Sequence, residues 1–296
     1  MKAYLLIEHI KIHNANALST PYIVGFPAMT AWLGCVEGLN LRLKKNNFSV
    51  RLKKTAVSCH QCNLQAYKEK GYRKVLCSYR KQIDEIKKNV CQPPSIIEEG
   101  RCHLDVSLLV EIEGVNGQNK EEFCVAVEAN LMQMKMAGGD IQSIKKIQCV
   151  FISGKEDEEK EEKALIRKLM PGYIIIERRD LLQNSEEADA LDRLLNPLSL
   201  LYEPDEGKNG EENSIIWIIR KEQSGWIIPI GVGFKAISSL GTVKNQRDVT
   251  KPHRFVENVV TLAEFSMAYR FTEIESIMWE YKTIPEDGLY VCVNQE

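Results

Sequence analysis

The sequence predicts an α+β fold built on antiparallel sheet. Three observations lead there: strand-like apolar runs alternate with helical segments, turn signals join neighbouring runs, and no internal repeat is evident. At about 150 residues per domain, the 296 residues suit two domains or one elaborated domain. We read a single elaborated domain over 1–296, with insertions at 42–100 (a basic arm) and 155–213 (helical and acidic). A composition of 44% hydrophobic and 27% charged residues supports a substantial core and excludes a disordered chain, a collagen-like repeat or a heptad rod. Apolar stretches such as 215–219 fall far short of the roughly 18 residues of a membrane span. The N-terminus lacks a long apolar core and a cleavage site, so it reads as a strand and the chain as cytoplasmic.

Residues 3–12, rich in Leu and Ile, read as the first strand, and 13–22 as a polar loop. Gly25-Phe-Pro27 reads as a helix start with proline at the first helical position. Met29, Trp32, Leu33, Val36, Leu39 and Leu43 then recur every three or four residues. Gly34 and Gly38, one turn apart, suggest a face that approaches a sheet closely. The segment 42–88 shows no clean period until a helix-like 79–89, stopped by Pro93-Pro94. Strands are expected at 104–112, 123–129 and 144–152, the first two joined by a hairpin carrying Asn116-Gly117. A helix at 155–170, a strand at 173–176, a helix at 186–201 and an acidic loop at 203–213 follow. Residues 214–220 and 226–230 read as a strand pair, 255–269 and 273–281 as helices, and 289–293 as a closing strand.

The formal charge of −2 hides an asymmetry. Between Arg42 and Lys88 stand 14 basic and three acidic residues, and between Lys235 and Arg254 five basic residues and Asp248. Local basic segments in a slightly acidic chain fit a polyanion held at one face, or a solvated Lys-rich arm. Nine scattered cysteines with no export signal read as reduced thiols. Cys59-His-Gln-Cys62 is half of a zinc pattern without a second half at standard spacing, so no metal is assigned.

Two loops are candidates for nucleic-acid contact. In the first, His13, Asn14, Asn16, Ser19 and Thr20 precede a helix N-terminus, where amides and hydroxyls meet phosphates or bases. Equally, such Asn side chains bond to their own backbone. In the second, a Gly/Ser-rich stretch after Gly231 carries Lys244, Arg247, Asp248, Lys251, His253 and Arg254, suited to a single-stranded backbone or to a plain surface loop. It matches neither a dinucleotide fingerprint nor a phosphate loop. Dispersed histidines and the absence of hydrolase motifs argue against catalysis. Trp217, Trp226 and Trp279 lie in apolar runs and read as core.

Three stretches together resemble a known family: IHNANALSTP at 12–21 leading through GFPAMTAWLG at 25–34, MAGGDI at 136–141, and IPIGVGFKAIS at 228–238 continuing to Arg247-Asp248 and Trp279. They are similar to the second Csy subunits, the Cas-five-like proteins of type I-F CRISPR surveillance complexes. The match is thinnest at 42–100. Where that family commonly has Arg before the alanine–glycine–glycine segment, Lys135-Met136 stands here, which keeps charge without bidentate geometry. Near the C-terminus, Leu262-Ala-Glu-Phe265 replaces the family's tendency towards glycine and tryptophan around the glutamate.

The resemblance implies a ferredoxin-like, RNA-recognition-type fold of the RAMP superfamily with large insertions. It implies a non-catalytic subunit without cofactor that holds the 5′ end of the crRNA. The partners implied are the large Csy subunit, the adjacent backbone subunit and, through the assembled complex, target DNA, with no membrane. Asn14, Asn16 and Ser19 fall in the first motif and Arg247 and Asp248 in the last. His13, Lys244, Lys251, His253 and Arg254 come from residue chemistry and charge alone. The alternative is a metal-independent crRNA-processing endoribonuclease of the same superfamily, with His13 or His253 as general base. A zinc-stabilised module without RNA affinity is a third reading.

Overall fold

The computed structural model describes residues 2–67, 99–153, 157–183, 189–205, 216–221 and 223–294, together with the backbone of five short extended pieces between 75 and 97. In chain order its main elements are β1 (Lys2–Asn16), α1 (Met29–Lys45), β2 (Arg51–Leu64), β3 (Arg101–Glu113), α2 (Lys120–Leu131), β4 (Lys135–Met136) and β5 (Gly139–Ile152). These are followed by α3 (Glu158–Arg167), β6 (Tyr173–Glu177), β7 (Trp226–Ala236), β8 (Val256–Met267), β9 (Glu280–Ile284) and β10 (Leu289–Val293). All ten strands join one antiparallel sheet in the order β4-β5-β1-β3-β2-β6-β8-β7-β10-β9. The α+β class and antiparallel sheet therefore stand.

Strand alternation sends Leu5, Ile7, Ile10 and Ile12 of β1 to one face, where they pack with Trp32, Val36 and Leu39 of α1 and Phe123 and Val127 of α2. Every member of the expected α1 stripe is buried. Tyr4, Leu6, Ala56 and Leu109 point the other way and meet Leu165 and Ile166 of α3 and the turns around Ile274 and Ile277. The α3 face is locked by Glu162, which accepts hydrogen bonds from Lys2 Nζ (3.2 Å) and the Ile274 amide (2.9 Å). Trp279, fully buried as expected, donates from Nε1 to the Ile175 carbonyl at 2.7 Å.

Several expectations are corrected. The loop read from residue 13 begins later, because β1 runs on to Asn16 through two bulges. The α1 helix starts at Met29, two residues past Pro27. Its glycines do not face a sheet backbone: Gly34 is exposed, and a methyl on Gly38 would meet only the Met134 side chain, at 3.1 Å. Residues 51–64 lay inside the segment read as a basic arm, yet they form an interior strand. Lysines and arginines at its start mask Ala56–Cys59, which is buried on both faces. The described pieces of 79–89 are extended rather than helical; the rest of that segment lies outside the described residues.

Residues 123–129 are helical, because Phe123, Val127 and Leu131 fall one turn apart on the core side. Asn116 accordingly shapes the turn that leads into the helix rather than a hairpin: its Oδ1 accepts from the amides of Gln118 and Asn119. Of the expected helix at 186–201, residues 186–188 lie outside the described residues, and the rest gives Ala190–Leu195 followed by a 3-10 turn and the start of an extended piece at Leu200. Residues 216–221 pair with 200–205, not with β7. The supposed helix at 255–269 is mostly β8, whose 261–266 stretch is covered on both faces and so loses its alternation. Residues 273–281 give a 3-10 turn and the start of β9.

Candidate functional site

Beyond the core that α3 covers, the same face of β1–β3 turns polar. His9 sits at a bulge with φ 50°, its amide donating to Ser107 Oγ at 3.0 Å and its Nδ1 3.0 Å from Asp105 Oδ1. The His60 ring stacks on it with centroids 4.1 Å apart. His60 Nδ1 lies 2.9 Å from the Pro171 carbonyl, which only accepts, so the proton sits on Nδ1 and leaves Nε2 to accept from Ser107 Oγ at 2.7 Å. Burial holds the His60 pKa below its usual value, with Lys145 acting in the same sense and the Pro171 carbonyl and the Asp105 carboxylate opposing. Donor atoms of His9, His60 and Asp105 lie within 4.8 Å of one another, a metal-type set. Both ring nitrogens of His60, however, are already engaged within the protein.

A second tier lies further along. His13 stacks on His103 at 4.4 Å, and the Gln65 amide bridges Asn14 Oδ1 (2.6 Å) and His103 Nε2 (2.9 Å). Asn14 occupies the second bulge, at φ 55°. Lys11, Gln61, Asn63 and Gln142 join these groups around a shallow groove of about 220 Å³.

Gln61 also lines a neighbouring, more apolar cleft of about 330 Å³. Its walls come from Gly25 and Phe26 before α1, Cys59–Cys62 of β2, Tyr173 of β6, Trp226 and Pro229 of β7 and Phe265 of β8. Trp226 is 55% exposed and Trp217 60%, which corrects their assignment to the core. The two thiols of the C-x₂-C pair differ in burial, Cys59 being buried and Cys62 exposed. Cys59 turns inward, burial pushing its thiol to about 12, while the Cys62 thiol is lowered by a hydrogen bond from Cys102.

Behind the groove the sequence motifs support one another. The Asn16 amide donates to the Ala137 carbonyl at 2.8 Å, and Gly139 lies where a Cβ would meet the His13 carbonyl at 2.7 Å. The buried Ser19 Oγ accepts from the Gly231 amide at 2.7 Å. The first, middle and last motifs thus form one contiguous structure.

A family model described as CRISPR-associated protein (Cas_Csy2) matches residues 5–292. The chain belongs to the Csy2 family. The CRISPR-associated protein Csy2 of Pseudomonas aeruginosa (strain UCBPP-PA14) is 31% identical over 314 residues, covering 98% of this chain and 94% of the relative. Among the described residues, no helix is long and apolar enough to cross a membrane.

In this Csy2-family chain the expected contact residues fall into two groups. His13 lines the polar groove and Asn14 is held by Gln65, while Asn16 bonds its side chain to the Leu18 amide and carbonyl, and Ser19 is spent on Gly231. Lys244, Arg247 and Lys251 stand exposed on a loop beyond the end of β7. Asp248 shapes that loop by accepting from the Thr250 amide and hydroxyl, which hold its carboxyl below the usual range. His253 and Arg254 are half-buried at its neck, where Gly241 and His253 exchange backbone hydrogen bonds. From Gly231 to Ala236 a strand extends about 16 Å, and no hydrogen bond links the two groups among the described residues. His9, His60, His103 and Asp105 were not singled out for RNA contact. The alternation His103, Asp105, Ser107 was their visible signal.

Proposed function

We propose that this Csy2-family chain is a non-catalytic subunit of a type I-F CRISPR surveillance complex that holds the 5′ end of the crRNA. On this reading it pairs with the large Csy subunit, abuts the first backbone subunit and reaches target DNA only through the assembly. The observation that carries the reading is the uncovered polar half of the β1–β3 face, bordered by the first motif, in a chain of this family. A ferredoxin-like core is supported by the β-α-β-β-α-β order within residues 2–152 and the spatial strand order β5-β1-β3-β2. α1 and α2 cover one face, and α3 covers part of the other, which leaves its polar half to a ligand.

Binding of single-stranded RNA across a salt series tests this. Affinity should fall linearly with log salt concentration, by about 0.7 per phosphate neutralised. Salt-independent binding, or none, overturns it. One observation favours the endoribonuclease reading: His9 is oriented by Asp105 as a general base would be. Incubating repeat RNA with the protein in EDTA decides between the two. Cleavage that His9→Ala abolishes would replace the scaffold reading.

A further inference from the structure

We propose that the aromatic cleft beside the polar groove takes one unstacked nucleobase of the bound single strand. This rests on the RNA-holding reading and adds a defined base-binding position to it. Trp226 is 55% and Tyr173 38% exposed, although both belong to interior strands of the sheet. Their rings are nonetheless fixed. Trp226 lies 5.0 Å from Phe265 and 5.5 Å from Tyr173, and Phe265 meets Phe26 edge-on at 5.5 Å. Rigid, solvent-facing aromatic rings offer a stacking surface whose ordering is complete before a ligand arrives.

At about 330 Å³ the space is at the small end for a ligand pocket, suited to one flat heterocycle rather than an amphipathic helix. The space beside Gly25, which lines the cleft, is open: a Cβ there would meet nothing within 4 Å. Phe26, Cys59 and Phe265 of the cleft belong to the cluster on the α1 face, whereas Gln61 pairs with Asp105 on the groove face; Gln61 therefore marks where cleft and groove meet, and its amide, with donor and acceptor edges, can address a base there. Among the described residues no acidic side chain lines the cleft, and Lys11 of β1 lines the groove with Lys145 exposed on the next strand, β5, for the phosphates.

The test uses the full chain and a short single-stranded RNA carrying 2-aminopurine at successive positions. One position should be quenched on binding, and Trp226→Ala should restore its emission and weaken binding about 5- to 140-fold. Trp226→Phe, which keeps an aromatic face, should recover most of the affinity, and the salt slope should stay the same because no phosphate contact is lost. If Trp226→Ala destabilises the fold, Gln61→Ala at an exposed position serves instead and should lower affinity without shifting the melting temperature. Wild-type-like binding and quenching in folded Trp226→Ala overturns the base site while leaving the RNA-holding reading intact. Loss of co-purifying large subunit with RNA affinity unchanged reassigns the cleft to a protein partner. A wild-type chain that binds no RNA at low salt removes both readings.

Discussion

The polar half of the β1–β3 face and the basic loop beyond β7 were both candidates for RNA contact from sequence, yet they are built on opposite principles. On the sheet, the central polar groups have protein partners: His9 with Asp105, His60 with Ser107 and Pro171, Asn14 with Gln65. On the loop, Lys244 and Arg247 face solvent, and the hydrogen bonds of Gln246 and Asp248 hold the backbone rather than the cations. The first region is pre-organised and bound into the core. The second supplies charge that the fold does not need.

Mutations should separate the two regions by what they damage. The largest effect is expected at Gly139, where a methyl would lie 2.7 Å from the Ala15 amide nitrogen, the His13 carbonyl oxygen and the Ile12 side chain. Gly139→Ala should cost about 3 kcal/mol in chemical denaturation, since backbone atoms cannot yield. Ser19→Ala strips the buried Gly231 amide of its acceptor and should cost about 2 kcal/mol, read as a lower midpoint at unchanged slope.

A smaller effect concerns His60. Its depressed pKa means that the unfolded chain binds the proton more readily, so its contribution is present above the unfolded value near 6.5 and fades as pH falls through the folded value. Stability should drop on acidification below pH 6.5, and His60→Gln should flatten that part of the profile. The smallest effect on stability belongs to the loop. Arg247→Ala should stay within about 0.5 kcal/mol of the parent while reducing the salt slope of RNA binding by about 0.7. A large loss of stability there would erase the contrast between the regions.

What the sequence made legible follows the same division. The α1 stripe, β3, β5, β6 and β10 could be read because their apolar period was intact. β2 was hidden by flanking cations, and β8 by burial on both faces, each removing the alternation that marks a strand. The loop cations were legible because charge needs no register. The His9–Asp105 pair and the Trp226 cleft were not, since they arise only when residues about 100 positions apart are laid side by side.

That placement has a consequence for how the chain is made. β1 pairs on one side with residues 101–112 and on the other with 140–152. At 5–20 residues per second, the first strand is synthesised roughly 5–20 s before its earliest sheet partner is complete. During that interval β1 has no sheet partner, and the native neighbour already made is helix α1, whose Trp32, Val36 and Leu39 can cover its apolar face.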